Sequence, residues 1–237
     1  MPNEFAPATA MVFAAGLGKR MRPLTDAVPK PLVRVNGKAL IDHVLDDLAA
    51  AGVARAVVNV HHLGDDVQSH VAARRSPEIV ISDERATLLD QGGGIKKALP
   101  HLGDAPFFIC NTDAFWKDGG ARHLRALADI WDPERMDVAL LLARTKGSVG
   151  VDWDGDFARD AEGRLSQPPG ARPYVYAGVG LIKPELFAGA ADEIFPLAPY
   201  FFAAARAGRL FGVASDALWL HVGTLAAIAE AEAALAA

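Results

Sequence analysis

The chain has 237 residues, 51% of them hydrophobic, and a formal net charge of −5. That length suits one large α/β domain with ample apolar material for a core. The acidic balance leaves no basic footprint for nucleic acid, and one cysteine, Cys110, excludes an internal disulfide framework and fits a reducing, cytoplasmic setting.

Met1 to Ala10 shows no cationic region followed by an apolar one, so no signal peptide is expected. No apolar run approaches the ~20 residues that span a membrane. Met1 to Pro7 reads as a loose tail, and Met11 to Ala15 as the first strand. A glycine loop with cations follows, from Gly16 to Arg22, and then Pro29-Lys30-Pro31-Leu32. Leu40, Ile41, Val44, Leu45 and Leu48 recur at helical spacing, which predicts a helix over Ala39 to Ala51 stopped by Gly52. Ala56 to Val60 is an apolar strand interrupted only by Asn59; Asp65 to Ala73 reads as a helix and Ile79 to Ile81 as a short strand. Gln91-Gly92-Gly93-Gly94 opens a third helix closed by Pro100. Phe107 to Cys110 is a buried-type strand running into Asn111-Thr112-Asp113, followed by a helix over Arg122 to Trp131 and a strand over Val138 to Leu142. Residues 146–173 are rich in Gly, Asp and Pro and read as a lid or sugar-binding insertion within the single domain 1–237. Tyr174 to Ile182 returns as a strand, Pro196 to Ala207 as a helix, and Trp219 to Thr224 as a strand end whose Thr224 caps the last helix.

Strands alternating with helices predict right-handed βαβ units and a Rossmann-like, mostly parallel sheet with helices on both faces, a three-layer sandwich. Ligands of such sheets sit beyond the carboxyl ends of the strands. The Gly16–Arg22 loop and the Asn111-Thr112-Asp113 turn both lie at such ends. Glycines let the backbone turn tightly and approach a ligand, and their N–H groups form an anion site. Lys19, Arg20 and Arg22 add charge, and the two prolines restrict Lys30. The loop is neither a dinucleotide fingerprint, since Met21 stands where a third glycine is needed, nor a Walker A loop, since Phe13 and Arg20 occupy its diagnostic positions. It reads as a nucleoside-triphosphate cradle. Asp113, opposite it, suits Mg²⁺, which binds through one or two carboxylates plus substrate phosphates. Three glycines before a helix would let a flat base lie against the backbone. The adjacent His61 and His62 hint at metal, but neighbours in an extended segment point to opposite faces, which favours a bland reading without an ion.

The extended pattern Ala14-Ala15-Gly16-Leu17-Gly18-Lys19-Arg20-Met21-Arg22-Pro23-Leu24-Thr25, then Pro29-Lys30-Pro31-Leu32, resembles the signature of the sugar-1-phosphate nucleotidyltransferases. Asn111-x-Asp113, the glycine triplet, Gly155-Asp156-Phe157 and Trp219-x-x-Val222-Gly223-Thr224 extend the resemblance over nearly the whole chain. It implies transfer of a nucleotide from UTP or another nucleoside triphosphate to a sugar-1-phosphate, N-acetylmuramate 1-phosphate foremost, with release of pyrophosphate in cell-wall recycling. It implies a monomer or weak dimer with no nucleic-acid or membrane partner. Ala14, Gly16, Gly18, Lys19, Arg20, Lys30, Gly92 and Gly93 are expected at the nucleotide, Asn111 and Asp156 at the sugar, Asp113 at Mg²⁺, and Arg20, Lys30 and Asp113 in catalysis.

One position departs from the pattern. Where the family has a second magnesium-binding aspartate, this chain has His221. Imidazole suits softer divalent ions better than Mg²⁺. His221 then either ligates, with tolerance for Mn²⁺ or Co²⁺, or contacts phosphate directly, or marks a sugar-nucleotide-binding regulator without activity. Glucose- or mannose-1-phosphate with dTTP, GTP or CTP stays open as the substrate pair, because glycines have no side chain to select a base.

Overall fold

A computed structural model describes residues 5–237; Met1 to Glu4 of the expected tail lie outside the described residues. Seven strands form the central sheet: β1 (Thr9–Phe13), β2 (Arg55–Val60), β3 (Glu78–Asp83), β4 (Phe107–Asn111), β5 (Val138–Arg144), β6 (Tyr174–Ile182) and β7 (Leu210–Ser215). Their spatial order is β7-β5-β6-β4-β1-β2-β3. All run parallel except β6, which is antiparallel to both its neighbours. The chain leaves β1 first toward β2 and later returns on its other side as β4. The crevice between β1 and β4 is therefore the switch point at which such sheets bind ligands.

Side chains alternate between two apolar layers. Ala10 and Val12 of β1, with Phe108 and Cys110 of β4, face helices α1 (Leu40–Ala51), α2 (Gly64–Val71) and α4 (Ala121–Ile130). Met11, Phe107 and Ile109 face α3 (Asp90–Leu102) and α5 (Ala198–Arg206). Strands covered on both faces must be apolar throughout, which is why they read as unbroken hydrophobic runs. Helix α1 buries Leu40, Ile41, Val44, Leu45 and Leu48, each contributing about 1.5–3 kcal/mol relative to exposure. It ends as expected at Gly52, whose φ of 91° satisfies a left-handed C-cap. A third cluster lies under α6 (Leu225–Ala236), which Thr224 caps by accepting a hydrogen bond from the Ala227 amide at 3.3 Å.

Three boundaries move for physical reasons. Strand β1 stops at Phe13 because the Ala14 amide donates to the Asn59 side chain rather than to a neighbouring strand. The glycine triplet does not precede α3 but lies inside it, and Pro100 sits in its last turn rather than closing it. The tail is not loose at Phe5, which stacks on Trp131 with ring centroids 6.2 Å apart. Within residues 146–173, Phe157 and Leu165 are buried in the second layer, and Ala158–Arg159 pairs with Leu165–Ser166. No helix among the described residues is long and apolar enough to cross a membrane.

Candidate active site

The carboxyl ends of β1, β2 and β4 are level: Phe13 is in register with Asn59 on one side and Asn111 on the other. Above them opens a cleft of about 580 Å³, within the range that small-molecule ligands occupy. Gly16, Gly18, Lys19 and Lys30 form one wall, Asn111, Thr112 and Asp113 another, and Leu88, Asp90, Gln91 and Ile194 the third.

The glycine loop is shaped by its own contacts. Gly18 has φ 61°, and a Cβ there would stand 2.8 Å from Thr25 Cγ2. The Thr25 hydroxyl donates to the Gly18 carbonyl at 2.8 Å and locks this turn. A single 3₁₀ turn, Lys30–Leu32, follows Pro29 and projects Lys30 into the cleft. Its Nζ lies 2.6 Å from Asp113 Oδ2, and the two side chains are 15% and 21% exposed. The loop and the aspartate 83 residues away thus meet through a direct ion pair.

Asp113 is also joined to His221. The ribbon of Ala114–Trp116 and Trp219–His221 pairs His221 with Ala114, and the Val222 amide donates to the Asp113 carbonyl. This sets His221 Nε2 3.6 Å from Asp113 Oδ2. His221 Nδ1 donates to the Gly150 carbonyl at 3.1 Å, which fixes the ring and turns Nε2 toward Asp113. Burial raises the Asp113 carboxyl, but the His221 contact and the Lys30 charge outweigh it and hold it well below the usual carboxylate range. No cluster of three ligating side chains exists among the described residues. Asp113 and His221 offer two converging donors, which fits a cation whose other positions come from substrate phosphates and water.

The remaining expected residues fall into two groups. Asn111 lines the cleft and its Oδ1 accepts from Gln91 Nε2 at 3.0 Å. Ala14, Arg20, Gly92, Gly93 and Asp156 are not among the lining residues. The Ala14 amide is spent on Asn59 Oδ1, at 2.7 Å. Arg20 faces a separate depression shared with His221, Gly223 and Thr224. The Gly92 and Gly93 amides donate to the Phe195 carbonyl at 3.0 and 3.2 Å, and a Cβ at either would collide with the Glu193–Phe195 segment. These glycines admit a chain segment; Asp90 and Gln91 form the cleft surface in front of them. The Asp156 carboxylate accepts from Trp153 Nε1 at 3.1 Å and the Tyr176 amide at 2.8 Å, fixing the start of β6.

Sequence reasoning passed over Asn59, Asp90, Gln91 and Thr112, all of which line the cleft. Asn59 carried a signal, being one polar residue in an apolar strand. Asp90 carried none; its φ of 61° appears only in the structure. His61 Nδ1 and His62 Nε2 donate to the Glu84 and Thr25 carbonyls at 2.7 and 2.8 Å.

A doubly covered parallel sheet with a glycine–lysine loop and an aspartate across its switch point defines a nucleotidyltransferase. Residues 10–151 match the MobA-like NTP transferase domain, and the chain belongs to that family. It is 50% identical to N-acetylmuramate alpha-1-phosphate uridylyltransferase of Caulobacter vibrioides, with 98% of each chain covered. It is 35% identical to the protein of the same name from Neisseria meningitidis serogroup B, over 94% of this chain and 96% of that one. The fold is shared with the inositol-1-phosphate CTP transferase from T. maritima, at a TM-score of 0.73 and 20% identity, over 97% and 96% of the two chains.

Proposed function

We propose that the protein transfers a uridylyl group from UTP to N-acetylmuramate 1-phosphate, releasing pyrophosphate, and serves peptidoglycan recycling in the cytoplasm. The observation that carries the reading is the Lys30–Asp113 pair set in a cleft at the sheet's switch point. The full-length likeness to two enzymes named for this reaction supports the choice of substrates.

A phosphate oxygen of the sugar-1-phosphate attacks the α-phosphorus of UTP. The new P–O bond forms as the bond from the α-phosphorus to the bridging oxygen breaks, and pyrophosphate leaves with that electron pair. Positioning and charge neutralisation suffice for such a step. The Gly16–Gly18 backbone and Lys19 cradle the triphosphate, and Arg20, which lines the neighbouring depression with His221 rather than the cleft itself, is assigned to the departing phosphates. Lys30 lies between the α-phosphate and the incoming phosphate. Asp113 and His221 would hold a divalent cation, Mg²⁺ or, given the imidazole, Mn²⁺ or Co²⁺, which supplies Lewis-acid polarisation of the α-phosphate when bound. The base contacts expected of Gly92 and Gly93 pass to Asp90 and Gln91. Asn111 meets the sugar, and Asp156 shapes that side through Trp153 and Tyr176.

The test is a panel of UTP, CTP, GTP and dTTP against N-acetylmuramate, glucose and mannose 1-phosphates, read by pyrophosphate release. UTP with the muramyl substrate should give the highest kcat/KM. Preference for another pair refutes the substrate assignment. Nucleotide binding without pyrophosphate release under Mg²⁺, Mn²⁺ and Co²⁺ refutes the enzyme assignment in favour of a regulator.

A further inference from the structure

Glu84 follows β3, outside the residues that line the cleft, yet it is 1% exposed. Its carboxylate accepts two hydrogen bonds that run to opposite sides of the cleft. Oε1 accepts from Asn59 Nδ2 at 2.8 Å, and Asn59 Oδ1 in turn accepts from the Ala14 amide at 2.7 Å, at the start of the glycine loop. Oε2 accepts from the Leu89 amide at 3.2 Å, in the segment that carries Asp90 and Gln91. Gly94 leaves room for this arrangement: a Cβ there would lie 2.8 Å from Glu84 Oε1 and 3.1 Å from Asn59 Nδ2. The third glycine of the triplet thus has a reason distinct from the first two.

A buried carboxylate costs several kcal/mol unless its oxygens are satisfied. Salt bridges among the described residues include none to Glu84. Amide donors alone satisfy it, and both belong to segments that border the substrate cleft. Such a group specifies the separation of the walls it joins.

We propose that Glu84 is a positioning residue that sets the distance between the triphosphate loop and the Leu88–Gln91 wall, through Asn59 on one side and Leu89 on the other. It touches no substrate. Its effect falls on nucleotide binding, because both walls that it joins are nucleotide walls, and this rests on the uridylyltransferase reading given above. Glu84→Gln keeps the shape but retains one acceptor oxygen where two are needed, so one of the two donors loses its partner.

The experiment joins amide hydrogen exchange to steady-state kinetics. In Glu84→Gln, the Ala14 or the Leu89 amide should exchange at least tenfold faster, while core amides of β4 keep their protection. KM for UTP should rise about tenfold with KM for the sugar phosphate and kcat within threefold. In Glu84→Gln/Asn59→Asp the middle bond reverses, the new amide donating to the new carboxylate, and protection at both amides should return. Asn59→Ala, should the first variant fail to fold, must free the Ala14 amide alone. Unchanged exchange at Ala14 and Leu89, or loss confined to kcat, overturns the proposal. Exchange does not depend on turnover, so absence of uridylyl transfer in the wild type would sink the functional reading without touching this result.

Discussion

Lys30→Met keeps the length and apolar stem of the side chain and removes its charge. The ammonium lies 2.6 Å from Asp113 Oδ2, with the two groups 15% and 21% exposed. At an effective dielectric near 20, the gross attraction is about 6 kcal/mol, most of it offset by the cost of desolvating both groups. Removing one partner of a fully buried pair costs about 3–5 kcal/mol; the residual exposure here and the nearby His221 bring the expected loss to about 2 kcal/mol. For a chain of this size that lowers Tm by roughly 4–8 °C, without unfolding the protein at 25 °C. The kinetic loss should be larger. In the proposed mechanism Lys30 faces charge that moves during transfer, so its removal should act on the transition state more than on the bound ground state. A hundredfold fall in kcat corresponds to about 2.7 kcal/mol of barrier, the least that is expected. Coupled pyrophosphate detection gives kcat, and scanning calorimetry gives Tm. A variant that releases pyrophosphate at the wild-type rate refutes the placement of Lys30 at the reacting phosphates. A Tm drop above 15 °C would mean that the ion pair is principally a structural device.

His43 stacks on Phe115 at 3.9 Å and its Nε2 is buried without a partner; burial and the Lys38 charge lower its pKa from 6.5 to about 4. Between those values the unfolded chain binds the proton and the folded one does not, so stability falls as pH drops from 6.5 toward 4, by up to about 3 kcal/mol; His43→Phe should flatten the urea-midpoint profile over that window, and an unaltered slope would exclude His43 as its source. His221→Asp should raise the ratio of Mg²⁺- to Mn²⁺-supported activity at least tenfold, and an unchanged ratio measured by pyrophosphate release would show that position 221 does not ligate. Gly18→Ala forces a Cβ into a left-handed turn beside Thr25, and should weaken UTP binding at least tenfold by calorimetry; wild-type affinity would place the loop away from the phosphates. Cys110 is 1% exposed and burial raises its thiol, so the folded protein should show no titratable thiol with a chromogenic disulfide and one after denaturation.

The doubly covered sheet was legible because burial on both faces leaves few polar residues in its strands. β6 could be read to the residue, Tyr174 to Ile182, yet its antiparallel direction could not, since direction depends on where the preceding 146–173 segment crosses. The cradle and Asp113 were legible as a pair because both follow strands whose carboxyl ends a parallel sheet must bring together. What failed was the reading of glycine. A run of three suggests an open loop, but Gly92 and Gly93 are small because the Glu193–Phe195 backbone presses on α3 there, 100 residues further along the chain. A missing side chain records that something approaches closely; the sequence does not say whether that is a base or a peptide.

The same asymmetry explains why Glu84 could not be found. An asparagine in an apolar strand implies a partner, because buried polar groups are almost always hydrogen-bonded. That inference fixes the existence of the partner and leaves its identity open, and here the partners are 25 and 45 residues away. Charged residues beyond a strand end are ordinarily solvated, so nothing marks Glu84 as buried beforehand. Its burial follows from α3 starting where it does: Leu89 turns its amide inward, and Gly94 clears the space one turn later. Had Gly94 been alanine, the carboxylate would have to retreat from Asn59, and the Ala14 amide would lose the acceptor that stops β1 and begins the loop. The third glycine therefore bears on the shape of the Gly16–Gly18 loop through two hydrogen bonds, without lining the cleft at all.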